Sequence, residues 1–266
     1  MASPKVTALH QGRPLVGAFI MLNTPFAAQI MASTGYDCLV VDMEHSPISA
    51  LEATHIVHAI GAASAGSCAA LVRIPSHGVE WIKWGLDSGS AGIIVPMVND
   101  AQEAADVIQR ACYPPLGRRS FGPAHAPFSG PHAEKTGGGY LDKALEQVGI
   151  FLMIESASGV MNSDAILGTK GVSGGFVGPV DLRLSLGLSG FDGDEDAFID
   201  ALEKVVKAGR AHGKPVGIFT GTQHAFERAL KLGFSFILYK CDYTMLGDIA
   251  QSSLDTGRSL VANAKL

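Results

Sequence analysis

Two acids, Glu155 in FLMIES and Asp181 in GFVGPVDL, stand 26 residues apart, each at the end of an apolar or β-branched run. Hard oxygen donors of this kind suit Mg2+ or Mn2+, in an octahedron completed by water and by the oxygens of a bound ligand. A third run, CLVVDMEH, ends in Asp42, Glu44 and His45, and a fourth, ALVRIP, brings Arg73 to the same kind of position. Arg73 follows Leu71 and Val72 in a stretch too apolar for an unpaired cation, because a buried charge without a partner is costly. That partner is either an oxygen turning anionic during a reaction or a carboxylate on a neighbouring strand, Asp42 or Glu44, and the two roles are compatible. His45 is the candidate for proton transfer, directly or through water, since its ordinary pKa lies near working pH. The other eight histidines (His10, His55, His58, His77, His125, His132, His212 and His224) read as structural, with His125 a second candidate for touching substrate.

These residues need a scaffold that brings strand ends together. Eight apolar runs recur along the chain, at 15–22, 38–44, 69–75, 91–98, 150–155, 174–181, 214–220 and 234–240. Continuous apolar runs mark strands covered on both faces, and helical stretches between them imply parallel strands joined by crossovers. Eight such units predict an α/β fold, a single-domain (β/α)8 TIM barrel over residues 1–266, with the chemistry in the loops after the strands. NDAQEAADVIQRACY predicts one of the outer helices, capped by Asn99 or Asp100, with Ala104, Val107, Ile108 and Ala111 on its inner stripe. The Pro- and Gly-rich stretch between Tyr113 and Gly149 is longer than most connections. Because it comes after the fourth strand, it is expected at the mouth of the barrel. Its triple glycine, Gly137 to Gly139, lacks the strand-to-helix setting of a dinucleotide fingerprint and reads as flexibility.

Composition excludes other classes. The net charge of −5, without a Lys/Arg-dense face, argues against nucleic acid. The N-terminus shows neither a secretory signal nor a membrane span, so a cytoplasmic protein is expected, with no membrane partner. Cys38, Cys68, Cys112 and Cys241 are scattered and read as reduced and structural. With no cysteine or paired histidines at the strand ends, a closed zinc site is not expected.

In order along the chain, YDCLVVDMEHSP, LVRIP, DSGSAGIIVPMVNDAQEA, YPPLGRRSFG, MIES and GFVGPVDLRLSLG resemble the metal-dependent class II pyruvate aldolases of the HpcH/HpaI family. The resemblance covers nearly the whole chain and implies a carbon–carbon lyase that reversibly cleaves 4-hydroxy-2-oxo acids to pyruvate and an aldehyde through a metal-bound pyruvate enolate. It implies Mg2+ or Mn2+ as cofactor, with Co2+ a further candidate, held by Glu155 and Asp181. Arg73 is implied as the residue on the enolate oxygen and His45 as a catalytic residue paired with Asp87, alongside Asp42. The backbone at Gly178, Val180 and Asp181 is implied to receive the pyruvate carboxylate. The partners implied are a 2-oxo acid, an aldehyde and further copies of the chain in a homohexamer with exchanged C-terminal helices. The same ligand set would serve the runner-up, an oxaloacetate decarboxylase or macrophomate-synthase-like enzyme using the same enolate. A catalytically silent binding barrel is disfavoured, because it would not need Arg73, Glu155 and Asp181 together. Two positions depart from the family pattern: Met153 stands where a glutamine is common, and Phe19 where a tryptophan is. Met153 shares strand parity with Glu155 and is therefore expected to face the substrate cavity.

Overall fold

The computed structural model describes residues 13–129, 140–141, 144 and 148–264. His10, His132 and Gly137 to Gly139 lie outside the described residues. Eight parallel strands close into a barrel in sequence order: β1 (Leu15–Ile20), β2 (Cys38–Asp42), β3 (Ala69–Arg73), β4 (Gly92–Val95), β5 (Gly149–Met153), β6 (Gly174–Val177), β7 (Val216–Thr220) and β8 (Phe236–Cys241). Pairing of β1 with both β2 and β8 closes the ring. Around it stand α1 (Pro25–Ser33), α2 (Ala50–Ala63), α3 (Val79–Asp87), α4 (Ala101–Ala111), α5 (Ala157–Met161), α6 (Ser163–Gly168), α7 (Pro179–Ser185), α8 (Asp196–Ala211), α9 (Gln223–Leu232) and α10 (Asp242–Asn263).

The two-residue period of a strand sorts its side chains between two cores. Phe19, Val40, Leu71, Ile94, Phe151, Met153, Phe176, Phe236 and Leu238 fill the barrel interior. Val41, Val72, Ile93, Leu152 and Ile237 face outward into the layer between sheet and helices. Asp42 continues the inward row Cys38–Val40, Arg73 the row Ala69–Leu71, and Glu155 the row Phe151–Met153. Strand parity thus aims all three at the axis, one rung above the apolar fill. All four cysteines are buried, and no helix among the described residues is long and apolar enough to cross a membrane.

The expected outer helix is α4, capped by Asp100, whose side chain accepts from Glu103 N at 2.8 Å, and its buried residues are Ala104, Val107, Ile108 and Ala111. Several apolar runs overshoot their strands. The run at 38–44 ends as strand at Asp42, that at 150–155 at Met153 and that at 174–181 at Val177, so Glu44, Glu155 and Asp181 sit in the turns or first helical residues beyond. One expectation is corrected outright: the described part of the 113–149 stretch is not at the mouth. It follows α4, which carries the chain back to the N-terminal ends of the strands. There Arg119 pairs with Asp87 at the end of α3, and Ser129 Oγ donates to Gly89 O just before β4.

Candidate active site

Register explains the first pair. Asp42 and Arg73 are direct neighbours across the β2–β3 ladder, so two inward side chains on the last rung must meet. Arg73 Nε and Nη2 donate to Asp42 Oδ1 and Oδ2 at 2.8 and 2.7 Å. Asp42 is fully buried, and its Oδ1 also accepts from the backbone N–H of Glu44 at 3.1 Å. Glu44 adds a second acid, with Oε2 at 3.3 Å from Arg73 Nε, while the guanidinium lies 4.5 Å from the Phe19 ring centroid. Phe19 therefore supplies the aromatic face that the cation covers. Burial pulls the Arg73 pKa down, but the bonds and charge of Asp42, then Glu44 and Glu155, more than offset it, and the group stays a cation. Among the described residues Nη1 alone of the three nitrogens has no protein acceptor, and it remains available to a ligand.

Glu155 is buried, and its Oε1 accepts from Met97 N at 2.7 Å. Burial pushes its pKa up to about 7; the Met97 hydrogen bond opposes this, and the negative charges of Glu44 and Asp181 reinforce it. The Glu44 carboxyl is also raised, first by burial, against the pull of Arg73 and His45. The negative charges of Glu44 and Asp181 beside the buried Glu155 form a place where a cation would be welcomed. No cluster of three or more metal-ligating side chains is found among the described residues. Glu155 and Asp181 would thus leave positions for water and substrate oxygens, the open arrangement that catalytic metals use.

Asp181 is exposed in the first turn of α7, which starts at Pro179 after an N-cap, Gly178, that offers no side-chain cap. The amides of Val180 and Asp181 are among the N–H groups that a helix start leaves without intrahelical partners. Gly178 leaves room for the Glu155 carboxylate: a Cβ there would run into Glu155 Oε2 and come within 3.0 Å of Met153 Cε, so the carboxylate would have to shift. Met153 does face inward, but only 1% of its surface is exposed within the interior layer. Its Cε lies beside Gly178, next to the Glu155 carboxylate, on the side that strand parity predicts.

His45 stands at the rim, more than half exposed, with Nε2 3.7 Å from Glu44 Oε2. Its implied partner is elsewhere within the chain. Asp87 ends α3 at the other end of the barrel and is held by Arg119, which also lies 4.6 Å from the Tyr113 ring. His125 likewise is far from the acids, its ring 5.9 Å from that of His58. The sequence reading missed Asp242, a buried acid just after β8 whose oxygens accept from Met21 N and Leu22 N at 3.0 and 2.9 Å and shape the turn after β1. Its signal, an acid closing the run FILYKCD, was the one that marked Asp42.

The family model described as HpcH/HpaI aldolase/citrate lyase matches residues 15–246. The chain belongs to the HpcH/HpaI aldolase family. It is thereby an enzyme of the carbon–carbon lyase class. It is 34% identical to a hydroxypyruvate/pyruvate aldolase of Rhizorhabdus wittichii, over 96% of this chain and 98% of that relative. A 4-hydroxy-2-oxovalerate aldolase of Rhodococcus jostii is 35% identical, with 90% of each chain covered. Among solved structures, an HpcH/HpaI family protein from Burkholderia cenocepacia superposes with a TM-score of 0.85 at 30% identity, covering 95% of this chain and 98% of that one.

Proposed function

We propose that this protein cleaves 4-hydroxy-2-oxo acids reversibly to an aldehyde and pyruvate or a C3-substituted pyruvate, using Glu155 and Asp181 to hold Mg2+, Mn2+ or Co2+. The observation that carries the reading is Arg73 locked on Asp42 with Nη1 left for a ligand, beside three acids that favour a cation. In cleavage the C4 hydroxyl gives up its proton, the C3–C4 bond breaks, and its electron pair becomes the enolate that is then protonated at C3. A divalent cation, when bound, supplies Lewis-acid stabilisation of the oxygen on which that charge develops. Arg73 meets the same oxygen with a donor already oriented by Asp42, so little reorganisation is needed when charge appears. The amides of Val180 and Asp181 orient the substrate carboxylate, and the glycine at 178 keeps the Glu155 carboxylate in place. His45, at the rim beside Glu44, is positioned to exchange the C4 proton with solvent.

The pairing of His45 with Asp87 requires a second copy of the chain, since one chain places them at opposite ends of the barrel. The C-terminal helix favours such an assembly. Of the residues of α10 only Asp242 is buried, while Tyr243, Leu246, Ile249, Leu254, Leu260 and Val261 are exposed. Its apolar stripe is therefore not consumed by packing within the chain. A cytoplasmic homohexamer is the form proposed.

The decisive experiment compares aldol cleavage with oxaloacetate decarboxylation, both assayed after EDTA and after metal is restored. EDTA is expected to abolish both, and Mn2+ or Mg2+ to restore both. Arg73→Ala is expected to slow both, and His45→Ala to slow cleavage far more, because only cleavage takes a proton from a C4 hydroxyl. Turnover that survives EDTA would overturn the metal assignment. Decarboxylation alone, with no aldehyde accepted by pyruvate or hydroxypyruvate, would favour the decarboxylase reading.

A further inference from the structure

The turn after β4 holds a strained residue that the mechanism above does not use. Met97 has φ +52, in the left-handed region, and is one of three non-glycine residues with positive φ among those described. Such a conformation disfavours an L side chain and persists only when surrounding structure over-determines it. Its own side chain does not hold it there, being about half exposed.

The backbone bonds around it do. Pro96 O accepts from His77 Nε2 at 2.6 Å, which requires the proton on that nitrogen, and His77 O in turn accepts from Arg110 Nη1 at 2.6 Å. Met97 O accepts from Asn99 Nδ2 at 3.0 Å, and Val98 N donates to Met153 O at 3.1 Å. Asn99 is tied to the residue after Glu155: its Oδ1 accepts from Ser156 Oγ. Three of these bonds tie the turn to β5, to Ser156 and to the segment before α3, and the group it turns toward the acids is Met97 N–H, 2.7 Å from Glu155 Oε1. With Oε1 so engaged and Oε2 lying against Gly178, the Glu155 carboxylate has one orientation.

We propose that Met97 is a positioning residue for the reaction: its left-handed backbone, not its side chain, delivers the N–H that fixes Glu155 and leaves Oε2 as the cation-binding oxygen. The inference rests on Glu155 being a metal ligand, as proposed above. It also gives His77 and Asn99 a purpose, as the groups that hold the turn in its strained form.

The test separates backbone from side chain. Met97→Gly and Met97→Asn keep the N–H and accept positive φ; Met97→Ala resists it, and the β-branched Met97→Ile resists it most. Mn2+ affinity of each variant, measured on the otherwise metal-free protein by the loss of free-ion EPR signal, is expected to stay within about twofold for Gly and Asn. It is expected to weaken in the order Ala then Ile, by roughly tenfold for Ile. The turnover number at saturating Mn2+ should follow the same order. If Met97→Ile does not fold, the Ala and Gly pair carries the same comparison. Gly binding as weakly as Ile would overturn the proposal in favour of a side-chain role, and Ile binding as tightly as wild type would overturn it outright. Glu155→Ala serves as the control: Mn2+ bound by it as tightly as by wild type would defeat the ligand assignment and this inference together, whereas a dead control with an indifferent Met97→Ile defeats the inference alone.

Discussion

A guanidinium and a carboxylate in the apolar interior stabilise one another only as a pair, which makes Asp42 and Arg73 asymmetric targets for substitution. Breaking a buried pair from one side leaves the other charge stranded, at about 3–5 kcal/mol. Asp42→Ala is therefore expected to lower the thermal midpoint sharply as well as the rate, in a melt followed by circular dichroism. Arg73→Ala should leave Asp42 with its bond from the Glu44 amide, and so cost less stability for the same loss of rate. Glu155 gives a pH signature. Its carboxyl, raised to about 7 chiefly by burial, binds a proton in the folded metal-free protein where the unfolded chain has released it. Between the ordinary carboxylate range and pH 7 the folded state thus holds more protons, and metal-free stability falls as pH rises through that window. Cation binding expels the proton, so Mn2+ affinity should rise about tenfold per pH unit below 7 and level off above it. Isothermal titration across pH 5.5 to 8.5, in buffers of different ionisation enthalpy, would check this; an affinity flat below 7 with no proton released would contradict it.

At the scale of elements, what was legible was what periodicity and strand ends encode. All eight strands and the inward parity of Asp42, Arg73 and Glu155 follow from apolar runs with an acid or cation at their ends. Register was not legible, because nothing in CLVVD or AALVR says that Asp42 faces Arg73 rung to rung; both partners proposed for Arg73 turned out to be engaged. The placement of the 113–149 stretch failed for a topological reason: counting from the preceding strand ignored that α4 returns the chain to the opposite end before the loop begins. Parity placed Met153 on the side of Glu155, while its depth in the interior layer was not legible, since parity gives the side of a strand and not the layer. The role of Gly178 depends on a contact between β5 and β6 that only the fold creates. Gly178→Ala should displace the Glu155 carboxylate, since the added methyl meets Oε2 and the buried Met153 below leaves it little room. The expected result is Mn2+ affinity lower by roughly tenfold or more with a thermal midpoint changed by only a few degrees. Unchanged metal affinity would show that the carboxylate has another orientation open to it.

At the scale of the molecule, one chain holds His45 and Asp87, the pair proposed for proton transfer, at opposite ends of the barrel and leaves its C-terminal helix uncovered, and an assembly of copies would answer both. Exposed Leu246, Ile249, Leu254, Leu260 and Val261 on α10, with Phe26 and Ile30 exposed on α1, are more apolar surface than a monomer's solubility favours. Association through them would bring another barrel to each mouth, and Asp87, whose side chain is about a quarter exposed beside Arg119, would be free to meet a neighbour's His45. Subunit mixing tests this without disturbing either site's fold. His45→Ala and Asp87→Ala should each be poor in aldol cleavage alone. When the two are dissociated, mixed and reassembled, a site that takes His45 from one chain and Asp87 from the other is whole. For random mixing in a closed symmetric assembly, cleavage should recover to roughly a quarter of the wild-type rate per site. A pair formed within one chain cannot be repaired in this way, because every chain carries one of the two defects. Absence of recovery, in a sample whose mixed composition is confirmed by native mass spectrometry, would mean that His45 works without Asp87 and that Glu44, its neighbour within the chain, is the carboxylate that tunes it.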